Sequence, residues 1–80
     1  MEKVEAHVFL KVKTSEEAAE KILKTLRSIE GVVRANMVTG IYDMIVNVKS
    51  ENLKTLGELI ACKISNIENV ISSITCIVVK

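Results

Sequence analysis

Apolar and polar residues alternate from Val4 to Lys13. Val4, Ala6, Val8, Leu10 and Val12 point one way, while Glu5, His7, Phe9, Lys11 and Lys13 point the other. A period of two is the repeat of an extended chain, so this segment predicts a β-strand with one fully apolar face. At Thr14-Ser15-Glu16-Glu17 the period changes. The S/T-x-x-E spacing lets a hydroxyl and a carboxylate satisfy the free amides of a helix start. Apolar residues at helical spacing follow: Ala19, Ile22, Leu23, Leu26 and Ile29. On the wet side, Glu17 precedes Lys21 and Glu20 precedes Lys24 by one helical turn, the favourable order for ion pairs. Gly31 ends the helix.

Val32–Thr39 then predicts a second strand, Thr39-Gly40 a tight hairpin turn and Ile41–Lys49 a third strand. In the third strand Met44, Val46 and Val48 alternate with Ile45 and Asn47. The Met44 side is the core side, because burying Asn47 without partners is costly. The opposite face is still half apolar. Ser50–Asn52 offers caps for a second helix with the stripe Leu53, Leu56, Ile60, Ile64 and Ile67. At about 100° per residue Cys62 falls opposite Leu53, on the solvent side. Ile71–Val79, rich in β-branched residues, predicts a fourth strand.

The order is βαββαβ, and its halves echo each other: Ser28-Ile29-Glu30-Gly31-Val32-Val33-Arg34-Ala35 aligns with Asn66-Ile67-Glu68-Asn69-Val70-Ile71-Ser72-Ser73. Two such units joined by right-handed crossovers give an α+β, ferredoxin-like sandwich, with an antiparallel sheet and both helices on one face. That fold carries many unrelated functions, so function has to come from particular residues.

Eighty residues, 49% hydrophobic and 26% charged, suffice for one small domain over residues 1–80. A chain of this size leaves roughly 40% of its unfolded surface exposed, so a sizeable site is expected between subunits. The net charge is +1, with no like-charge run longer than Glu16-Glu17, which argues against direct nucleic-acid binding. Apolar runs stay short of a membrane span, and Met1-Glu2-Lys3-Val4 leads directly into the first strand pattern. The expectation is a cytoplasmic chain, complete from its first residue.

Cys62 and Cys76 stand fourteen positions apart, outside any C-x-x-C spacing, and His7, the single histidine, is remote from both. Reduced thiols, no metal and no cofactor are expected. The loop Lys13-Thr14-Ser15 lacks the paired thiolates of a metal carrier on this fold. Phe9 and Tyr42 are too few aromatics for an RNA-stacking sheet. Neither Arg27 nor Arg34 lies beside the first strand, where an acyl-phosphate cradle needs an arginine. No catalytic residue is identified, because His7 has no carboxylate or thiol placed to orient it for acid–base work. Its plainer role is a packed residue of an interface on the open sheet face, with Phe9 and Ile45. Asp43 is the one aspartate among ten acids and follows the hairpin glycine. It is either a turn-stabilising acceptor for nearby amides or a carboxylate shaping a polar pocket.

At this hairpin the chain resembles a known family. Val38-Thr39-Gly40-Ile41-Tyr42-Asp43, followed by Met44-Ile45-Val46-Asn47-Val48, is similar to the G-x-Y-D signature of the effector-sensing (RAM) domain of the Lrp/AsnC, or feast/famine, transcriptional regulators. Ile29-Glu30-Gly31-Val32 and Ser73-x-Thr75-x-Ile77-Val78-Val79 agree with it, and the resemblance covers essentially all 80 residues. Such regulators carry an N-terminal helix-turn-helix. Nothing precedes the first strand here, so the chain resembles the stand-alone form of the domain.

The resemblance implies a small-molecule effector, an amino acid, bound in clefts where dimers meet. It implies subunits pairing sheet to sheet as a dimeric α+β barrel, with dimers forming rings, octamers or decamers. Gly40, Tyr42 and Asp43 would contact the ammonium and carboxylate of the ligand. Ser73 and Thr75 match the hydroxyl positions of the last strand, and Lys63 matches the helix turns where side-chain selectivity is set. Full-length Lrp/AsnC-type regulators are the implied protein partners. The alternative is an enzyme of the dimeric α+β barrel type with a site between sheet and helices.

Overall fold

A computed structural model of the chain describes residues 3–13 and 15–79. Its elements are β1 (Val4–Val12), α1 (Glu16–Ser28), β2 (Val32–Met37), β3 (Met44–Ser50), α2 (Leu53–Glu58, continued by a π-helical segment at Leu59–Ile64) and β4 (Val70–Ile77). The strands form one antiparallel sheet in the order β2-β3-β1-β4, the ferredoxin-like α+β arrangement that the periodicity predicts.

The alternation in β1 and β3 dictates the core. Ala6, Val8 and Leu10 lie opposite Val48, Val46 and Met44, and all six side chains are fully buried. Ile22, Leu23 and Leu26 of α1 close over them from one side, and Leu56, Leu59 and Ile64 from the other. Burying each of the larger side chains contributes about 1.5–3 kcal/mol. Among the described residues no polar or charged side chain is buried.

The start of α1 differs from the expected capping box. Thr14 lies outside the described residues, and the cap is Ser15, whose Oγ accepts from the Ala18 N–H at 3.3 Å. The expected Glu17–Lys21 and Glu20–Lys24 pairs do not close to ion-pair distance. Among the described residues the ion pairs are Lys3–Glu51 and Lys49–Glu5, both at 3.8 Å.

The second helix departs from its predicted stripe. Leu53 is 60% exposed and Leu59, absent from the stripe, is buried. The π-helical segment changes the repeat from Leu59 onward. Its wider turn, closed by the Ser65 N–H donating to the Ile60 carbonyl at 2.8 Å, inserts one residue into the repeat and rotates the buried side. Cys62 is exposed as expected, although Leu53, the residue it was placed opposite, is exposed as well.

The internal repeat is visible in the backbone. Gly31 and its counterpart Asn69 both have positive φ, 100° and 76°. Val32 N–H donates to the Ile29 carbonyl at 3.1 Å, and Val70 N–H to the Ile67 carbonyl at 3.2 Å. The Gly31 carbonyl accepts from Lys49 N–H and the Asn69 carbonyl from Lys13 N–H, both at 2.9 Å. Each half uses one left-handed residue to turn a helix exit into a strand.

The hairpin is longer than the expected two-residue turn. β2 stops at Met37 and β3 starts at Met44, so residues 38–43 form the connection. Val38 N–H donates to the Asp43 carbonyl at 2.9 Å across its base, and Gly40 stands at φ 130°.

Candidate functional site

Three residue groups carry the chemistry: the hairpin, the open face of the sheet, and a groove along α2. In the hairpin, Asp43 is held by β1. Its N–H donates to the Leu10 carbonyl at 2.9 Å, and its Oδ2 accepts from the Val12 N–H at 2.9 Å. The pairing of β1 with β4 shifts register between Lys11 and Val12, so the Val12 amide lies beside an irregularity in the sheet. Asp43 is thus an acceptor for an amide, but one 31 residues away rather than in its own turn. Among the described residues its Oδ1 has no hydrogen-bond partner, so half of the carboxylate stays available to a cation or N–H donor. Gly40 is required by conformation and not by space, because a Cβ there would meet no atom within 4 Å.

Tyr42 couples the hairpin to the open face. Its ring lies 5.8 Å from that of Phe9, centroid to centroid, at a 52° tilt. The hairpin is thus joined to the Phe9 and Ile45 face through Tyr42. Phe9 and Ile45 are directly opposite in the β1–β3 register.

At the other end of this face the residues are polar. Asn47 Nδ2 donates to Glu5 Oε2 at 2.9 Å and approaches His7 Nδ1 at 3.4 Å. An amide nitrogen only donates, so at this contact Nδ1 of His7 can serve only as the acceptor. Cys76 is the neighbour of His7 across β4. A shallow depression of about 360 Å³ lies over this end, lined by Glu5, His7, Arg34, Asn36, Ile45 and Asn47 among others.

Ser73 and Thr75 pair with Leu10 and Val8, so they share the helix side of the sheet. Ser73 Oγ lies 3.2 Å from Ser65 Oγ, beyond the end of α2. Lys63 belongs elsewhere. It lines a groove of about 560 Å³ with Glu30, Gly31, Glu58, Leu59 and Cys62, beside the α1–β2 turn. One subunit therefore does not gather the expected ligand set. It brings Gly40, Tyr42 and Asp43 together, puts Ser73 and Thr75 two strands away across β1, and separates Lys63. Residues that sequence reasoning missed are Val12, whose amide holds Asp43, and Ser65, which meets Ser73. Both contacts join distant segments and leave no local trace. Among the described residues no cluster of three His, Cys, Asp or Glu side chains could hold a metal ion, and no helix is long and apolar enough to cross a membrane.

Residues 6–80 match the family model described as the Lrp/AsnC ligand binding domain. The chain belongs to this family. It is similar to the crystal structure of FFRP-DM1, with a TM-score of 0.87 and 28% identity over 95% of this chain and 99% of that one. It is similar to AsnC of Escherichia coli at TM-score 0.86 and 26% identity, covering 96% of this chain and 51% of AsnC. A transcriptional regulator of Neisseria meningitidis, solved as a complex with L-methionine, shares the fold at TM-score 0.85 and 14% identity, with 96% and 50% covered. The chain thus spans nearly all of FFRP-DM1 and about half of the two regulators. No curated protein sequence matches it. As a Lrp/AsnC ligand-binding domain the chain falls among sensing domains of transcriptional regulators, and its G-x-Y-D hairpin lies within the matched residues.

Proposed function

We propose that this Lrp/AsnC domain is a non-enzymatic module that senses an amino acid in clefts between its subunits and acts on Lrp/AsnC-type regulators in the cytoplasm by assembling with them. The observation that carries the reading is the hairpin. Asp43 is fixed to β1 through Oδ2, and it shares the connection between β2 and β3 with Gly40 and Tyr42. A fixed carboxylate suits the ammonium of an amino acid. The scatter of Gly40, Tyr42, Asp43, Ser73, Thr75 and Lys63 over one subunit supports a site completed by neighbours. The L-methionine complex of the Neisseria relative supports the ligand class.

Assembly follows from the open face. Phe9, Ile45 and the Tyr42 ring form an apolar patch beside the polar His7–Asn47–Glu5 group, and this face pairs two copies sheet to sheet. Dimers associate further into octamers or decamers, which bring the hairpins to subunit junctions. The test is thermal unfolding in the presence of each of the twenty amino acids. Ligand bound only by the folded state stabilises it by RT ln(1 + [L]/Kd), about 2.7 kcal/mol at a hundredfold excess over Kd, which moves the midpoint by several degrees. At least one amino acid gives that shift. Twenty flat responses at millimolar ligand overturn the reading.

A further inference from the structure

The pairing of the strands sets the open face out in rows. One row, Ile45, Phe9 and Ile74, is apolar. The next is Arg34, Asn47, His7 and Cys76, one residue from each strand, and beyond it lie Lys49 and Glu5. His7 is half-buried within this polar row, directly beside the apolar one. It is the single histidine of the chain, and histidine is the side chain that ordinarily changes charge between about pH 5 and 8.

Two observations show what that change of charge does here. The first is the direction of the hydrogen bonds. Asn47 Nδ2 lies 2.9 Å from Glu5 Oε2, 3.4 Å from the Ala6 carbonyl oxygen and 3.4 Å from His7 Nδ1. A carboxylate and a carbonyl only accept, so the amide is held with its nitrogen toward all three. Turning it over would set its oxygen against two others. A neutral ring can complete the group with Nδ1 as a third acceptor, whereas both nitrogens of an imidazolium donate. Protonated His7 therefore faces a donor that cannot turn away.

The second is the balance of charge. The charged groups that the strands turn to the open face are Glu5 and Lys11 on β1, Arg34 on β2 and Lys49 on β3, and β4 adds only the Cys76 thiol. One carboxylate stands against three cations. Glu5 is the group that would favour a proton on His7, and it is already engaged by Lys49 at 3.8 Å and by Asn47. A protonated His7 adds to a face that is positive without it. In an isologous contact every charge occurs twice, so two protonated copies meet with two further positive charges. Covering the ring also penalises its charged form more than its neutral one.

We propose that His7 is a pH switch on the sheet-face association: neutral, it lets two open faces close on each other, and protonated, it holds them apart. The inference rests on the proposed association and adds its regulation. Because the closed contact excludes the proton, the assembly is strongest where His7 is neutral and weakens as pH falls through the histidine range. Acidification to this extent separates the copies without unfolding them, since no charged side chain among the described residues is buried in the core.

Sedimentation equilibrium of the full chain at about pH 7.5, 6.5 and 5.5 and constant ionic strength tests the proposal, with circular dichroism to follow the fold. The dissociation constant is expected to rise at least ~10-fold from the highest to the lowest pH. His7→Gln offers Asn47 an uncharged acceptor, and its constant should vary by less than ~2-fold over the same range. His7→Lys carries a positive charge throughout and should associate more weakly than wild type at the highest pH. A wild-type dimer whose dissociation constant does not change with pH overturns the switch and leaves the association standing. A His7→Gln chain with the wild-type slope, or a His7→Lys chain that associates as tightly as wild type, overturns it as well. A chain that stays monomeric at every pH overturns the association and the switch together. The wild-type series stands without the variants, so it decides the matter even if a variant does not fold.

Discussion

The two faces of the sheet are made by the same strands and differ in every other respect. On the helix face, Ala6, Val8, Leu10, Met44, Val46 and Val48 are fully buried. On the open face, their neighbours Glu5, His7, Phe9, Ile45 and Asn47 are half-buried, part apolar and part polar, with no helix above them. The helix face is uniform and self-sufficient, so it stabilises the fold. The open face is neither dry enough for a core nor polar enough for water alone, which is why it is the face proposed for association.

The largest expected effect lies on the helix face. Leu26→Ala, at a fully buried position, should lower unfolding free energy by about 2–5 kcal/mol in equilibrium denaturation. Asp43→Ala comes next, because it leaves the part-buried Val12 amide without its acceptor, at a cost of about 1–3 kcal/mol by the same measurement. Asp43→Asn keeps an acceptor oxygen for that amide and should lose much less. At the paired helix exits, Gly31→Asn should destabilise by more than ~1 kcal/mol. A Cβ at Gly31 would stand 2.8 Å from Leu59 Cδ2 and 3.3 Å from the Lys49 carbonyl oxygen. The reverse change at the equivalent site, Asn69→Gly, should stay within about 1 kcal/mol, because a left-handed asparagine is already only mildly strained.

A modest effect on stability and the largest on assembly belong to Phe9→Ser. It removes the contact with Tyr42, worth about 0.5–1.5 kcal/mol beyond area burial, and should abolish sheet-face association in sedimentation. If Phe9→Ser destabilises the monomer as much as Leu26→Ala does, the division between the two faces fails.

Much of this was legible in the sequence because alternation and helical spacing are local. The face assignments of β1 and β3, the buried stripe of α1 and the repeat that pairs Gly31 with Asn69 all follow from residues a few positions apart. The errors arise where one residue is inserted or where distant segments meet. The π-helical segment begins at Leu59 and shifts the repeat beyond it, which a constant 100° step cannot anticipate. The Thr39-Gly40 pair suggested a tight turn, but the bond from Val38 N–H to the Asp43 carbonyl closes a longer loop that β1 then holds. The candidate site was legible as a motif and not as a geometry. No local pattern shows that Asp43 binds Val12, that Tyr42 reaches Phe9, or that Lys63 lines a different groove from the hairpin.

The central claim is that the hairpin carboxylate contacts an amino-acid effector, and calorimetric titration of wild type and Asp43→Asn tests it most directly. The ligand is the amino acid that gives the largest thermal shift. The variant keeps the link to Val12 and removes the charge, so the fold and its unfolding midpoint without ligand should persist. The affinity should weaken by roughly 1.5–3 kcal/mol, the range of a hydrogen bond to a charged group. Equal affinities for the two proteins would contradict the account and leave Asp43 with only its structural bond to β1.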